Sequence, residues 1–168
     1  GVVFETAQSA AARGLKPLAA MPGWAMTFAP TRDEDCLARA MADAMRGALD
    51  MAGASPGQAA VLFAQADGSR AADAAEARAI REVLGPEAVV TSTKAALGNT
   101  LAASAPLDVA FAVLALARGA APGCCSGPAD ESLGIRLAPA GATAVSGDTA
   151  LVNVRGLGGQ CASLVVRA

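Results

Sequence analysis

The run AAVLFA, residues 59–64, is the feature that most constrains how this chain can fold. Polar side chains do not alternate with apolar ones along it, so the pattern predicts a β-strand buried on both faces. Such a strand needs a covering layer on each side of its sheet, and helical patterns both precede and follow it. We therefore expect an α/β fold in which a mixed sheet is covered by helices.

The clearest helical pattern follows Thr31, which can cap the helix start. Acidic side chains from Asp33 to Asp35 suit the positive end of the helix dipole, and Gly53 and Pro56 end the pattern. One face of this helix is predicted to point inward, formed by Leu37, Met41, Ala44, Met45 and Ala48.

Two more helices and three strands are predicted before the C-terminal part. One helix runs from about Asp73 to Gly85, and a long apolar helix runs from about Asn99 to Arg118. The segment AQSAAARG suggests a short helical turn. Strands are predicted in GVVF, LAAMPGWAMTF and AVVTS.

The C-terminal part predicts a β-hairpin, because TALVNV and ASLVVRA are joined through the turn GLGG, residues 156–159. Glycine-rich turns after strands also cradle phosphates, but a nucleotide site needs a helix N-terminus after the glycines. Here QCASLVVRA continues as a strand. We therefore expect Gly156, Gly158 and Gly159 to be structural and to provide the positive φ angles of a tight turn.

Charge and hydropathy argue against two classes of partner. The 13 basic and 15 acidic side chains nearly balance and are scattered, so no basic face is expected to bind nucleic acid. The apolar run Val109–Ala117 stops at Asp108 and Arg118, short of the roughly 20 residues that span a bilayer. No signal peptide is visible, and we expect a soluble, cytoplasmic protein.

The four cysteines, Cys36, Cys124, Cys125 and Cys161, show no Cys-x-x-Cys spacing, and the chain contains no histidine. A metal site is therefore not expected, and no cofactor is expected either. A nucleophilic cysteine normally needs a base or a positive field to lower its pKa. Burial as small apolar residues is the favoured interpretation of these cysteines.

Asp73 and Glu76 allow two interpretations. Paired carboxyl groups can carry out acid–base chemistry. Because the two stand three residues apart at the expected start of a helix, a capping arrangement is the simpler interpretation.

Four motifs occur in order along the chain: GVVFETAQSAAARG, DAAEARAI, TSTKAALGNTLAASAPLDVAFAVLAL and LVNVRGLGGQCASLVVRA. Together they resemble consecutive landmarks of the β-ketoacyl-acyl-carrier-protein synthases, or ketosynthases, which have the thiolase fold. The resemblance implies that residues 1–30 hold the last strands of the first thiolase-like half and residues 31–168 form the second half. The ketosynthase half that carries the nucleophilic cysteine is not in this sequence.

The resemblance also implies that both active-site histidines have been replaced. One family histidine lies eight residues before the aspartate of Asp-x-x-Glu, and counting back from Asp73 reaches Gln65. The other follows the glycine of Thr-Lys-x-x-x-Gly, and Asn99 stands there. In the family these imidazoles bind the malonyl thioester carbonyl and support decarboxylation. An amide can donate a hydrogen bond to that oxygen but cannot act as a general base.

Further positions bear on the site that the resemblance implies. Family members usually have phenylalanines that gate the cavity around the hairpin glycines, where this chain has Arg155 and Leu157. Lys94 and Glu76 match retained positions, and we expect them to hold the scaffold, with a polar site role for Lys94 as the alternative. The segment APLDVAFAV departs from the usual Gly-rich, Glu-containing version and is similar to chain-length factors, the non-catalytic partners of ketosynthases.

Three functions remain open from the sequence. The favoured one is a chain-length-factor-type subunit that pairs with an active ketosynthase, shapes its acyl tunnel and meets the acyl carrier protein indirectly. The second is the C-terminal piece of a condensing or acyltransferase enzyme whose cysteine lies upstream. The third is a scaffold that only stabilises a partner. Because the chain opens with GVVFET and without methionine, it is also expected to pack against its own upstream half.

Overall fold

A computed structural model of the chain describes residues 2–30, 33–124 and 130–168. Five α-helices and eight strands occur in these residues, in the order α1 (Ala7–Ala12), β1 (Ala20–Phe28), α2 (Glu34–Ala52), β2 (Ala59–Phe63), α3 (Arg70–Leu84), β3 (Val89–Thr91), α4 (Lys94–Leu97), α5 (Ser104–Arg118), β4 (Ala120–Pro122), β5 (Arg136–Leu137), β6 (Ala142–Ala144), β7 (Thr149–Arg155) and β8 (Gln160–Arg167). Short 3₁₀ turns lie at Pro56–Gln58, Leu101–Ala103 and Glu131–Leu133.

Six of these strands form one mixed sheet in the order β1-β8-β7-β2-β3-β5. Strands β1, β8 and β7 are antiparallel neighbours, whereas β7, β2, β3 and β5 run parallel to one another. Strands β4 and β6 pair separately. The run AAVLFA thus supplies a central strand, and the predicted α/β fold with a mixed sheet is confirmed.

Helices cover both faces of the large sheet. Helices α2 and α3 enclose one core, in which Met45, Leu62 and Ile80 are fully buried. Helix α5 encloses a second core on the opposite face, where Phe63 packs with apolar side chains that include Val109. The consecutive residues Leu62 and Phe63 point to opposite cores, as a strand buried on both faces requires.

Helix α2 matches the prediction closely along its inward face, since all five predicted side chains are buried. Its N-cap is Asp33, whose side chain accepts a hydrogen bond from the Cys36 N–H at 3.1 Å. Thr31, the predicted cap, lies outside the described residues. Gly53 ends the helix in the left-handed conformation with φ +59°.

Three predicted elements differ in the structure. GVVF is not a strand, because residues 2–5 pair with no described strand and Val3 and Phe4 are exposed. Helix α3 begins at Arg70 and not at about Asp73, since Ser69 takes the N-cap position. Helix α5 begins at Ser104 and not at Asn99, because Leu101 adopts φ +54°, which interrupts the helical path.

The outer face of β1 is bare on the side away from α2. Trp24, Met26 and Phe28 alternate along this edge strand and expose between 50 and 64% of their surface. Side chains at successive odd or even positions share one face of a strand. The result is a row of large apolar groups without cover in the described chain, which is typical of an interaction surface.

The sequence-based expectation that no apolar segment is long enough to span a bilayer was too strict. The helical stretch Leu101–Arg118 has 18 residues and a mean hydropathy of 1.6, which is long and apolar enough to cross a membrane by length and composition. Core helices of water-soluble proteins give the same pattern. This stretch packs against the sheet through α5 and includes the buried carboxylate of Asp108.

Candidate functional site

Glu76 organises the loop that follows β2. Its carboxylate accepts hydrogen bonds from the backbone N–H groups of Gln65 and Ala66, both at 2.9 Å. It also accepts one from the Asn153 side chain on β7 at 3.0 Å. Glu76 is buried, so this set of donors satisfies a charge that would otherwise be costly to bury. The loop at residues 65–67 is thereby tied to α3 and to β7.

Glu76 and Asp73 do not form the predicted helix cap. Helix α3 already starts at Arg70, which places Asp73 and Glu76 on its first and second turns, with Glu76 turned inward. The capping interpretation was therefore wrong. It failed because the bonds made by Glu76 reach residues 10, 11 and 77 positions away, contacts that local spacing does not reveal.

Residue 155, at the end of β7, is fastened to the same loop in two ways. The backbone N–H of Arg155 donates to Oε1 of Gln65 at 3.3 Å. The guanidinium of Arg155 forms an ion pair with Asp67. Gln65 is buried and its amide oxygen already accepts this bond within the protein.

Lys94 forms a buried ion pair with Asp108 of α5, and the two side chains are 5% and 1% exposed. The ammonium also donates to the Ala64 carbonyl at 3.2 Å, and the Thr93 hydroxyl donates to Asp108 at 2.6 Å. Asp108 was not among the predicted site residues. An acid inside an otherwise apolar helix was the available signal, since such a side chain needs a buried partner.

Asn99 lies in the exposed loop between α4 and α5. Its Oδ1 accepts hydrogen bonds from the Leu101 N–H at 3.0 Å and the Ser104 hydroxyl at 3.3 Å. These bonds stabilise the unusual backbone around Leu101 and lead into α5. The oxygen of this amide is therefore also engaged within the chain.

Four of the five predicted site residues line two different cavities, and the fifth, Gln65, is in the lining of neither. The first has a volume of about 390 Å³, and its wall includes Lys94 and Asn99. The second has a volume of about 630 Å³ and is lined by Arg155 and Leu157 together with Gly158 and Gly159. Asp67 lines both. The structure thus places the pseudo-active-site residues on two sides of one loop.

The first cavity carries excess negative charge. Asp67, Asp73 and Glu76 all contribute to its wall, and Asp67 is paired with Arg155. Lys94, the cation of its described lining, is paired with Asp108, so Asp73 and Glu76 carry the excess charge. Burial, together with the nearby carboxylates of Glu76 and Asp67, raises the pKa of Asp73 from 3.8 to about 6. A second carboxylate entering this cavity would meet the same repulsion.

In the hairpin turn, only one of the three predicted glycines has positive φ. Gly159 has φ +95°, and a Cβ there would collide with the Ala29 carbonyl oxygen. Gly156 and Gly158 lie outside the left-handed region, but both stand against the Gln160 side chain, where a Cβ would be crowded. Because the nearest atoms belong to the end of the exposed Gln160 side chain, which can move aside, neither φ nor close approach requires glycine at these two positions.

Of the described cysteines, Cys161 is buried, whereas Cys36 and Cys124 are partly exposed. Burial raises the pKa of the Cys161 thiol to about 11, so its reactive thiolate is strongly disfavoured. Cys125 lies outside the described residues. Across residues 2–30, 33–124 and 130–168, no cluster of three or more His, Cys, Asp or Glu side chains is arranged to hold a metal ion.

Comparison with known protein families determines the family of this chain. Residues 18–127 match the model of the beta-ketoacyl synthase C-terminal domain. The chain belongs to the β-ketoacyl synthase family. The matched residues include strand β1, helices α2 to α5 and the loop at residues 65–67 that lies between the two cavities.

Individual ketosynthase relatives agree with this assignment. The tetracenomycin polyketide synthase ketoacyl synthase beta subunit of Streptomyces glaucescens is 42% identical over 75% of this chain and 31% of its own length. A 3-oxoacyl-[acyl-carrier-protein] synthase 2 of Synechocystis is 30% identical over 99% of this chain and 41% of its own length.

A solved structure shows the same fold. The ishigamide ketosynthase/chain length factor superposes with a TM-score of 0.86 at 25% identity, over 98% of this chain and 41% of that one. The chain therefore spans about 31 to 41% of the length of these ketosynthase relatives. The thiolase-like C-terminal fold expected from the sequence is confirmed.

Proposed function

We propose that this chain is part of a non-catalytic ketosynthase-like subunit of the chain-length-factor type, which pairs with an active β-ketoacyl synthase in polyketide or fatty-acid-like biosynthesis. The observation that carries the proposal is the replacement of both imidazoles by the amides Gln65 and Asn99. Neither amide can accept or release a proton near neutral pH. Relatives named as a beta subunit and as a chain length factor support it.

The hydrogen bonds at both amides strengthen the proposal. The Gln65 oxygen accepts from Arg155 N–H, and the Asn99 oxygen accepts from Leu101 and Ser104. Both side chains are thus oriented by the protein itself. The amide NH2 groups can still donate a hydrogen bond to a carbonyl oxygen, but the proton transfer of the family histidines is lost with the imidazoles.

The charge of the first cavity points the same way. A malonyl group carries a free carboxylate, whereas the cavity wall already presents Asp73 and Glu76. Asp67 is paired with Arg155, and Lys94 is paired with Asp108. Like charges in a partly buried site disfavour binding of the ionised form. A site that decarboxylates malonyl thioesters needs compensating donors or cations, and the amides supply none with charge.

The proposal includes a partner surface. The bare β1 face of Trp24, Met26 and Phe28 fits burial against the protein's own upstream half or a ketosynthase partner. The acyl carrier protein contacts this chain indirectly, through the ketosynthase partner. Residues 1–30 are proposed to complete the first thiolase-like half and residues 31–168 the second, in a cytoplasmic complex with no membrane or nucleic-acid partner.

A second candidate is supported by one relative. The Synechocystis 3-oxoacyl-[acyl-carrier-protein] synthase 2 matches 99% of this chain, so an active enzyme shares the same C-terminal fold. In that case an upstream cysteine would carry acyl transfer without decarboxylation, with amide N–H groups as oxyanion donors. The two candidates differ in whether the complete protein itself transfers an acyl group.

The test measures malonyl decarboxylation and acyl transfer from a carrier thioester by the complete protein without its ketosynthase partner. We expect neither reaction above a buffer control. The 168-residue chain with Gln65→His plus Asn99→His should give no condensation product, because the ketosynthase half that carries the nucleophilic cysteine is not in this sequence. An active ketosynthase assayed in parallel serves as the positive control. Turnover by the unaltered protein, or product from the double variant alone, would favour the enzyme candidate.

A further inference from the structure

The Arg155–Asp67 ion pair lies between the two cavities described above. The side chains are 17% and 12% exposed, so the pair is largely withdrawn from solvent. It joins the end of β7 to the loop after β2, two segments separated by 88 residues. Pairs that are partly desolvated hold their geometry more firmly than exposed pairs, which contribute little.

Both ends of this ion pair are braced. Asp67 sits in the loop whose backbone is held by Glu76, and its other carboxylate oxygen accepts from Ser69 N–H at 3.1 Å. Arg155 is held through its backbone by Gln65. The Asp67 side chain cannot swing away without breaking its bond to Ser69, and the backbone of Arg155 is fixed where its side chain leaves β7.

The pair lies between the two cavities. Asp67 lines the 390 Å³ cavity and the 630 Å³ cavity, and Arg155 lines the larger one beside Leu157. Asp67 is therefore the wall that the two spaces share. Apolar side chains such as Ile80 and Val90 line the smaller space beyond it.

We propose that the Arg155–Asp67 pair is a partition that keeps these two cavities separate, and that residue 155 thereby limits the length of apolar chain this part of the protein accommodates. That the chain is an acyl group rests on the proposed function. The partition itself rests only on the ion pair, its bracing and the shared wall.

The test is equilibrium binding of two probes, the hexanoyl and dodecanoyl thioesters of N-acetylcysteamine, to the complete protein by titration calorimetry. Arg155→Ala and Asp67→Ala each remove the partition, and the double variant removes both halves. Arg155→Lys and Asp67→Glu retain an ion pair. Arg46→Ala is the matched control, because it removes an exposed ion pair with Glu82 and neither of these residues lines either cavity.

We expect the dodecanoyl-to-hexanoyl affinity ratio to rise about tenfold or more in each alanine variant, the gain when two further methylene groups enter an apolar space. The double variant should gain no more than the better single variant, because one partition is removed in all three. Arg155→Lys, Asp67→Glu and Arg46→Ala should keep the unaltered ratio.

An unchanged ratio in folded alanine variants would overturn the partition, as would an equal rise in Arg46→Ala. If Arg155→Ala fails to fold, Asp67→Ala decides, with circular dichroism to verify folding. Malonyl turnover by the same preparation would refute the proposed function and leave the probe ratio fully informative. The two proposals therefore fail through different measurements.

Discussion

The buried Lys94–Asp108 pair allows a quantitative test of whether Lys94 holds the scaffold. Lys94→Met keeps the length of the side chain but leaves the Asp108 carboxylate with only the Thr93 hydroxyl. Asp108→Leu leaves the ammonium with only the Ala64 carbonyl. The double variant replaces both charges by apolar groups of similar size.

The structure sets the expected magnitudes. With side chains 5% and 1% exposed, loss of either partner should cost about 3–5 kcal/mol, because a buried charge is left uncompensated. Replacing both should cost no more than about 1 kcal/mol, for the Thr93 hydroxyl that loses its acceptor. The two changes should therefore be strongly non-additive.

Native-state hydrogen exchange on the complete protein measures this locally. The amides of Leu97 and Gly98 donate to the carbonyls of Thr93 and Lys94, so their exchange reports opening of α4. Each single variant should accelerate exchange by about a hundredfold or more, and the double variant by about fivefold at most. The exposed Arg46–Glu82 pair, changed in the same way, should shift exchange by less than about fivefold.

Two outcomes would refute this reasoning. If Lys94→Met exchanged at the unaltered rate, the ion pair would contribute nothing and Lys94 would be available for a ligand. If the double variant were as labile as the single ones, shape and not charge would explain the loss. Both outcomes would remove the argument that the cation of the first cavity is neutralised.

Two further predictions follow from the charge cluster and the bare face. The pKa of Asp73 is raised to about 6 in the folded state, so ionisation of this carboxyl destabilises the fold as pH rises from about 4 to 6. Asp73→Asn should remove that part of the pH dependence of stability and raise the melting temperature at neutral pH. An unchanged pH profile of the melting temperature would contradict the assignment. The isolated chain of 16.4 kDa should self-associate or aggregate through Trp24, Met26 and Phe28, whereas a monodisperse folded monomer in light scattering would argue against an obligate partner.

Local patterns predicted those parts of the fold whose cause is local. The run at residues 59–64, the inward face of α2 and the C-terminal hairpin follow from the periodicity of apolar side chains and from turn residues. The start of α5 did not follow, because leucine seldom adopts the positive φ that Leu101 has. GVVF has strand composition but no described strand to pair with.

The candidate site depended on a different kind of information. Family motifs indicated Gln65, Asn99 and Lys94, but spacing alone could not predict that Arg155 would meet Asp67 or that Glu76 would meet Asn153. Those contacts join segments 77 and 88 residues apart. They exist because parallel strands β2 and β7 end at the same edge of the sheet.

The bonds from Glu76 have a consequence for evolution. They hold residues 65 and 66 through backbone N–H groups, which every amino acid except proline possesses. A substitution at position 65 therefore leaves these two backbone bonds in place, and the contact that changes is the one from the Arg155 N–H to the side chain of residue 65. A lineage with this arrangement can exchange a proton-transferring side chain for an inert one, or the reverse, in single steps that keep the bonds from Glu76.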